Sequence, residues 1–399
     1  MRMKNKKIYA NVKGMVEKMK KVNRKGGAAV VALLIVIMLV AVGTAAMVVT
    51  GRNSIQVSKE IEPPMPDGYS TEESSLPESS AADSSEAVSS LVIPETMPSM
   101  LPNIANTYQT INIDELTCNS AVLLDAQTNE ILAGYKYDKK IYPASLTKLL
   151  TLLVAAENID DMDAKYKFTN EDIDPLIEEN ASRAGFEAGE EVSMEDLLYA
   201  AILVSGADGT LGLANSVAGS EEAFVELMND KITELGLSDT KFVNASGLHD
   251  KEHYSTAQDI AVITEACLEN DTCKEVLYAK EYTTSKTKQH EDGIVLESIF
   301  HSRYGGYWID CDGDGEGDAD VLGGKTGFTD EAMFTLSSVI EYDGGEYICV
   351  VTKSDDELKS VEDTIAVCEK YLKAALDGSE VEDNESSDDT SIAESSSAA

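Results

Sequence analysis

Tyr142-Pro143-Ala144-Ser145-Leu146-Thr147-Lys148-Leu149-Leu150-Thr151 opens an apolar run that continues to Asn158. Its composition predicts a buried helix over residues 145–158, begun just after Pro143. A spacing of three sets the Ser145 hydroxyl and the Lys148 amine on one helical face, within hydrogen-bonding reach. A serine hydroxyl is a poor nucleophile until a base takes its proton, and a lysine can do so only with a depressed pKa. Desolvation and a helix N-terminus both depress it. Ser145 and Lys148 are therefore a candidate nucleophile and base. Alone the pattern is weak, because S-x-x-K also opens many ordinary capped helices.

Two further motifs follow downstream. Ser205-Gly206-Ala207-Asp208 interrupts a helical stretch, between expected helices at 194–204 and 210–218. Its ordinary reading is an inter-helix turn at Gly206. Lys325-Thr326-Gly327 follows Gly323-Gly324 and leads towards a strand starting at Met333. Glycines there permit close approach of a ligand to backbone, although a lysine on a sheet edge is often only a guard against edge pairing. The three in this order match the S-x-x-K, S-x-x and K-T-G set of serine acyl-transferases.

The surrounding pattern fixes a fold class. Strands are expected at 120–125 and 130–135, joined through Gln127-Thr128-Asn129, and again at 333–340 and 347–352 around Gly344-Gly345. Helices are expected at 221–235, at 256–269 with Thr256 as N-cap, and at 358–376. Strands at both ends around a helical middle predict an α+β domain over residues 110–376, an antiparallel sheet flanked by helices with a helical lobe beside it.

With those residues in place, the chain resembles the low-molecular-mass penicillin-binding proteins, the D-alanyl-D-alanine carboxypeptidases of peptidase family S11. The likeness rests on Tyr142–Thr151, Asp196-Leu-Leu-Tyr-Ala200, Asn244-Ala-Ser-Gly-Leu-His249, His253-Tyr-Ser-Thr-Ala257 and Gly323-Gly-Lys-Thr-Gly-Phe-Thr329. It implies a β-lactamase/transpeptidase-like fold and removal of the terminal D-alanine from peptidoglycan stem peptides. It implies Ser145 as acylated nucleophile, Lys148 as general base and Ser205 as proton relay to the leaving D-alanine. Lys325 and Thr326, on the Gly327 strand, would bind the terminal carboxylate, with Lys325 helping to hold Lys148 neutral. The backbone N–H groups of Ser145 and Phe328 would form the oxyanion hole. Substrate is then a stem peptide, β-lactams are covalent inhibitors, and no cofactor is required.

One departure bears on chemistry. Ala207 stands where the family's S-x-N carries Asn. That removes a donor for the substrate backbone and a partner for Lys148, unless Asp208 or water compensates. Two other functions compete with the peptidase. A non-catalytic wall-peptide-binding module would explain Ala207 but not the retention of Ser145, Lys148 and Lys325. A class A-like β-lactamase needs an E-x-x-L-N carboxylate that is missing between Ser205 and Lys325.

The chain ends carry topology. Residues 1–27 hold ten Lys or Arg and one acid, Glu17, and precede the uncharged apolar run 28–50. About 20 such residues cross a hydrocarbon core of roughly 30 Å. A signal h-region is shorter, and the run stays apolar past Ala45-Ala46, which favours an uncleaved anchor. The basic side remains cytoplasmic, so the rest is expected outside the cell membrane. The family's common C-terminal β-rich domain and amphipathic helix are not legible, so the tether is expected on the N-terminal side. Ser, Pro and acidic residues over 51–109 and 377–399 predict a self-repelling stalk and tail. A net charge of −40 excludes nucleic acid as a partner. The six cysteines form no C-x-x-C pair and leave disulfides or buried thiols open.

Asp310-Cys-Asp312-Gly-Asp314-Gly315-Glu316-Gly-Asp318 follows the D-x-D-x-D-G start of a calcium loop, but its twelfth position is Val321 rather than Glu. An acidic surface insertion reads the same way. A structural calcium on Asp310, Asp312, Asp314, Glu316 and Asp318 is the expectation, with Asp320 replacing the missing Glu.

Overall fold

Residues 120–125, Ser-Ala-Val-Leu-Leu-Asp, are buried along nearly their whole length, as a central strand covered on both faces must be. A computed structural model describes residues 101–379 and Val381. The calls on the cytoplasmic segment, the membrane helix, the stalk up to residue 100 and most of the tail lie outside these residues. No helix of the described part is long and apolar enough to cross a membrane.

In chain order, β1 (Asn103–Thr110), β2 (Ser120–Asp125) and β3 (Glu130–Tyr135) lead through a 3-10 turn at Ala144–Leu146 into α1 (Thr147–Asn158). The short pair β4 (Lys165–Lys167) and β5 (Glu191–Ser193) brackets α2 (Asn170–Glu178). The lobe continues with α3 (Met194–Leu203), α4 (Ala207–Ala218), α5 (Glu221–Glu234), α6 (Ala257–Leu268) and α7 (Asp271–Tyr278). A second ribbon, β6 (Glu281–Thr283) with β7 (Val295–Glu297), precedes α8 (Ile299–Tyr304). The chain closes with β8 (Asp320–Thr329), β9 (Met333–Tyr342), β10 (Gly345–Ser354) and α9 (Glu357–Asp377).

Six strands form one sheet in the order β1-β3-β2-β10-β9-β8. All its pairings are antiparallel except β1 with β3. Alternation assigns each residue to a face. Val122, Leu124, Ile348 and Val350 join the core of the helical lobe. Ala121, Leu123, Cys349 and Val351 join the core under α9, with Val361, Val367 and Leu372. Helix α1 runs through the middle of the lobe, buried from Thr147 to Ala155. The fold is the α+β arrangement that the sequence pattern predicts.

The differences have local causes. Residues 103–109, expected in the stalk, form with Thr110 the edge strand β1, with only Ala105 and none of its polar residues buried. An edge strand needs backbone pairing more than apolar side chains, so composition hides it. Helix α4 starts at Ala207 rather than Thr210, because Gly206 serves as its N-cap. The Lys325 motif lies on a strand, as expected, within the ten residues of β8 that precede the strand at Met333. Thr256 caps α6 as expected, accepting from Asp259 N at 3.0 Å. All six cysteines are buried free thiols.

Candidate active site

Ser145 lies in the 3-10 turn, and the first residue of that turn, Ala144, adopts a left-handed backbone with φ 48°. A left-handed L-residue is strained, and such strain persists where the surroundings over-determine it. Here Thr147 Oγ1 donates to Ala144 O at 2.8 Å. Buried His253 closes this arrangement. Its Nδ1 accepts from Val243 N at 3.1 Å, so its protonated Nε2 donates to Thr147 Oγ1 at 2.7 Å. Burial lowers the His253 pKa to about 4, so the ring stays neutral and keeps that tautomer.

One turn on, Lys148 Nζ lies 3.1 Å from Ser145 Oγ. The same amine donates to the main-chain oxygen of Ser246. Lys148 is 3% exposed, and burial lowers its pKa from 10.5 to about 7, against the opposing pull of Asp208 and Glu221. Near neutral pH about half of such amines are unprotonated, as a base requires. Burial therefore does what the sequence reading ascribed partly to Lys325.

Strand β8 is an edge of the sheet, and Gly327 brings it against the nucleophile. A Cβ on Gly327 would stand 3.2 Å from Ser145 N and would collide with Thr335 Oγ1. Lys325 Nζ donates to Ser205 Oγ at 3.0 Å and to Thr326 O at 2.8 Å. Ser205 is itself left-handed, φ 56°, at the break between α3 and α4. Burial, with the charges of Lys148 and Arg303, pushes the Lys325 pKa well below its ordinary value. Burial thus disfavours the charged form of Lys325, and a carboxylate placed beside it would favour that form again.

The predicted residues therefore converge as two contacts, Ser145 with Lys148 and Ser205 with Lys325. Thr326 is buried beside them, and Phe328 is exposed with its ring 4.5 Å from that of Phe334. Asp208 does not replace the missing Asn. Its oxygens accept from the backbone N–H groups of Ala184, Gly185 and Phe186, at 2.9, 2.9 and 3.3 Å, and from Gly209 N at 2.9 Å. It pins the 184–186 loop to the start of α4.

Sequence reasoning assigned no role to the 244–247 turn. Asn244 Oδ1 accepts from Gly247 N at 2.7 Å and Ser246 N at 3.2 Å, while Thr151 Oγ1 donates to Ala245 O at 2.7 Å. These bonds aim the Ser246 carbonyl at Lys148. The Asn-Ala-Ser-Gly composition signals a turn but not its target.

The acidic loop is only partly assembled. Carboxylate oxygens of Asp310, Asp312 and Asp314 lie within 4.8 Å of one another. Glu316 is outside that group, and Asp318 Oδ1 accepts from Cys311 N at 2.7 Å. Two of the five expected ligands, Glu316 and Asp318, are therefore not among the converging carboxylates.

The D-alanyl-D-alanine carboxypeptidase DacF of Bacillus subtilis (strain 168) is 30% identical over 236 residues, 58% of this chain and 56% of the relative. DacC of Escherichia coli (strain K12), also a D-alanyl-D-alanine carboxypeptidase, is 31% identical over 205 residues, covering 49% and 51%. The chain thus spans about half the length of the curated relatives it matches. Penicillin binding protein 5 from Haemophilus influenzae superposes with a TM-score of 0.54 at 26% identity, over 63% of this chain and 71% of that one. The Streptomyces K15 DD-transpeptidase shares the fold, with a TM-score of 0.54 at 24% identity over 67% and 98%. The model of the S11 peptidases matches residues 106–356, more than half of the chain, and the protein belongs to this D-alanyl-D-alanine carboxypeptidase family.

Proposed function

We propose that the chain removes the terminal D-alanine of peptidoglycan stem pentapeptides through an acyl-enzyme on Ser145. The observation that carries this reading is a buried amine with pKa about 7 set 3.1 Å from the Ser145 hydroxyl. Neutral Lys148 takes the Ser145 proton as Oγ attacks the carbonyl of the penultimate D-alanine. The tetrahedral oxyanion sits between the N–H groups of Ser145 and Phe328, donors of this kind contributing roughly 3–4 kcal/mol each. The proton passes through Ser205 to the departing amine. Lys325 and Thr326 hold the terminal carboxylate, whose charge restores that of Lys325. Water then attacks the ester, with Lys148 again as base.

The full chain incubated with a stem pentapeptide should release one D-alanine per peptide, and Ser145→Ala should release none. Binding of the pentapeptide without release would leave only a recognition module. β-Lactams should acylate Ser145 and remain attached, whereas rapid turnover of the drug would favour a β-lactamase.

The reading includes an exported catalytic domain on an N-terminal membrane anchor, with the 51–102 segment as stalk. The positive charge before the apolar run 28–50 supports it. Protease added outside intact cells should cleave this domain and spare the N-terminus. A structural calcium at Asp310, Asp312 and Asp314 belongs to the same reading, supported by three converging carboxylates.

A further inference from the structure

A cavity of about 490 Å³ opens where the β3-to-nucleophile connection meets the ends of β2 and β10. Five lysines line it, Lys136, Lys139 and Lys140 on the connection, Lys251 beyond it and Lys353 at the end of β10, against one acid, Glu331. The chain as a whole carries −40, so such a concentration of cations runs against its composition. Lys139 pairs with Asp138 at 3.0 Å, and Lys140 lies 4.0 Å from Asp239 and 3.8 Å over the Tyr254 ring. Among the described residues Lys136, Lys251 and Lys353 form no ion pair. Glu331 is turned to His249 Nδ1, 3.7 Å away. Lys353 has a left-handed backbone, φ 61°, where the β10–β9 register shifts between Val351 and Ser354. Bulges of this kind re-aim a side chain.

The cavity's position relates it to the cleft. Tyr142, three residues before Ser145, and Glu331, three residues after Phe328, both line it. The proposed function sets the terminal carboxylate at Lys325 and Thr326 and the scissile carbonyl at Phe328. A substrate in that orientation continues along β8 towards Glu331. Strand β8 continues only to Thr329, and Glu331 lies in the turn to β9, so the cavity lies past the end of that strand; two to three residues of extended peptide upstream of the scissile bond, at about 3.3 Å each, would reach roughly 10 Å beyond Phe328.

Resting on that reading, we infer that the lysine cavity is a subsite for an anionic group, a free carboxylate two to three residues upstream of the scissile bond. It makes the enzyme selective for an acidic stem peptide over one amidated at that position. The lysines are exposed, so each contact is modest and screened by salt.

The test compares two pentapeptides that differ only in a carboxylate or carboxamide at the upstream position. The unmodified full chain should cleave the acidic peptide with kcat/KM about five- to tenfold higher at low salt, the preference shrinking as salt rises. In the Lys251→Gln, Lys353→Gln double variant the ratio should fall to about one, and the corresponding Arg pair should retain it, a split that a merely structural effect would not give. Equal rates on the two peptides in the unmodified chain overturn the inference, whether or not the lysines capture a phosphodiester polymer. An unchanged preference in the Gln pair overturns it as well. Failure to cleave either peptide, with Ser145 inert to penicillin, would instead overturn the peptidase reading beneath it.

Discussion

Lys148 donates a hydrogen bond to the main-chain oxygen of Ser246, and the same amine stands 3.1 Å from Ser145 Oγ. Because Ser246 takes an N–H, the lone pair of the neutral amine is left free to point at the serine proton. The Asn244 turn, which holds the Ser246 carbonyl in place, is thus part of the base's orientation.

A buried lysine held near neutrality weakens the fold. The unfolded chain binds this proton with a pKa of 10.5, the folded chain with one of about 7. Between those values the unfolded state carries more protons, so stability rises with pH across the window and is lost as pH falls towards 7. The shift corresponds to roughly 4–5 kcal/mol. Lys148→Met removes this cost but leaves the Ser246 carbonyl without its donor, worth about 1–3 kcal/mol. Denaturant titration at pH 7 should therefore find the variant about 2 kcal/mol more stable and inactive, its advantage vanishing near pH 10. A variant that is less stable at pH 7 would contradict the buried-neutral description.

Gly247 has φ 81°, and a Cβ there would run into Ala144 O and stand 3.0 Å from Ser145 N. Gly247→Ala must push the turn away from the nucleophile, and displacements of this order cost about 100-fold in rate. The expected outcome is a loss of that size in penicillin acylation with the circular dichroism of the fold retained. Unchanged acylation would show that the turn does not position Ser145.

Asp208→Ala leaves the N–H groups of Ala184, Gly185 and Phe186 without their acceptor. The loss should be about 2–4 kcal/mol, with new proteolytic cleavage at 181–187. Asp208→Asn keeps one acceptor oxygen and should lose about half as much. If instead Asp208→Ala mainly shifts the pH profile of activity and leaves stability intact, the carboxylate acts on Lys148 rather than on the loop.

Much of this architecture is legible in the chain itself. Ser145-Leu-Thr-Lys148 before an apolar run, and Lys325-Thr-Gly327 among glycines, announce both halves of the cleft. Alternating or wholly apolar stretches announce β2, β3, β9 and β10. Strand β1 is not legible, because Asn103–Thr110 is held by backbone pairing at an edge and shows no apolar alternation. Nor is the work of Ser246 or His253, since both act through contacts across about a hundred residues, with Lys148 and Thr147. The role of Asp208 is hidden for a related reason. Adjacent to the motif in sequence, it faces the 184–186 backbone in space.

Three carboxylates converging within 4.8 Å at Asp310, Asp312 and Asp314 repel one another unless a cation intervenes. Millimolar calcium should raise the melting temperature by a few degrees over chelator, and Asp312→Asn should reduce the gain. An identical melting temperature in calcium and chelator would dispose of the site.

The most direct test of the central claim is the rate of penicillin acylation followed by intact-protein and peptide mass spectrometry between pH 5 and 10. The account predicts an adduct on Ser145 alone, forming at a rate that rises with pH through an inflection near 7 as Lys148 loses its proton, and absent in Lys148→Met. An adduct on another residue, no adduct at all, or an inflection near the ordinary lysine value of 10.5 would contradict it.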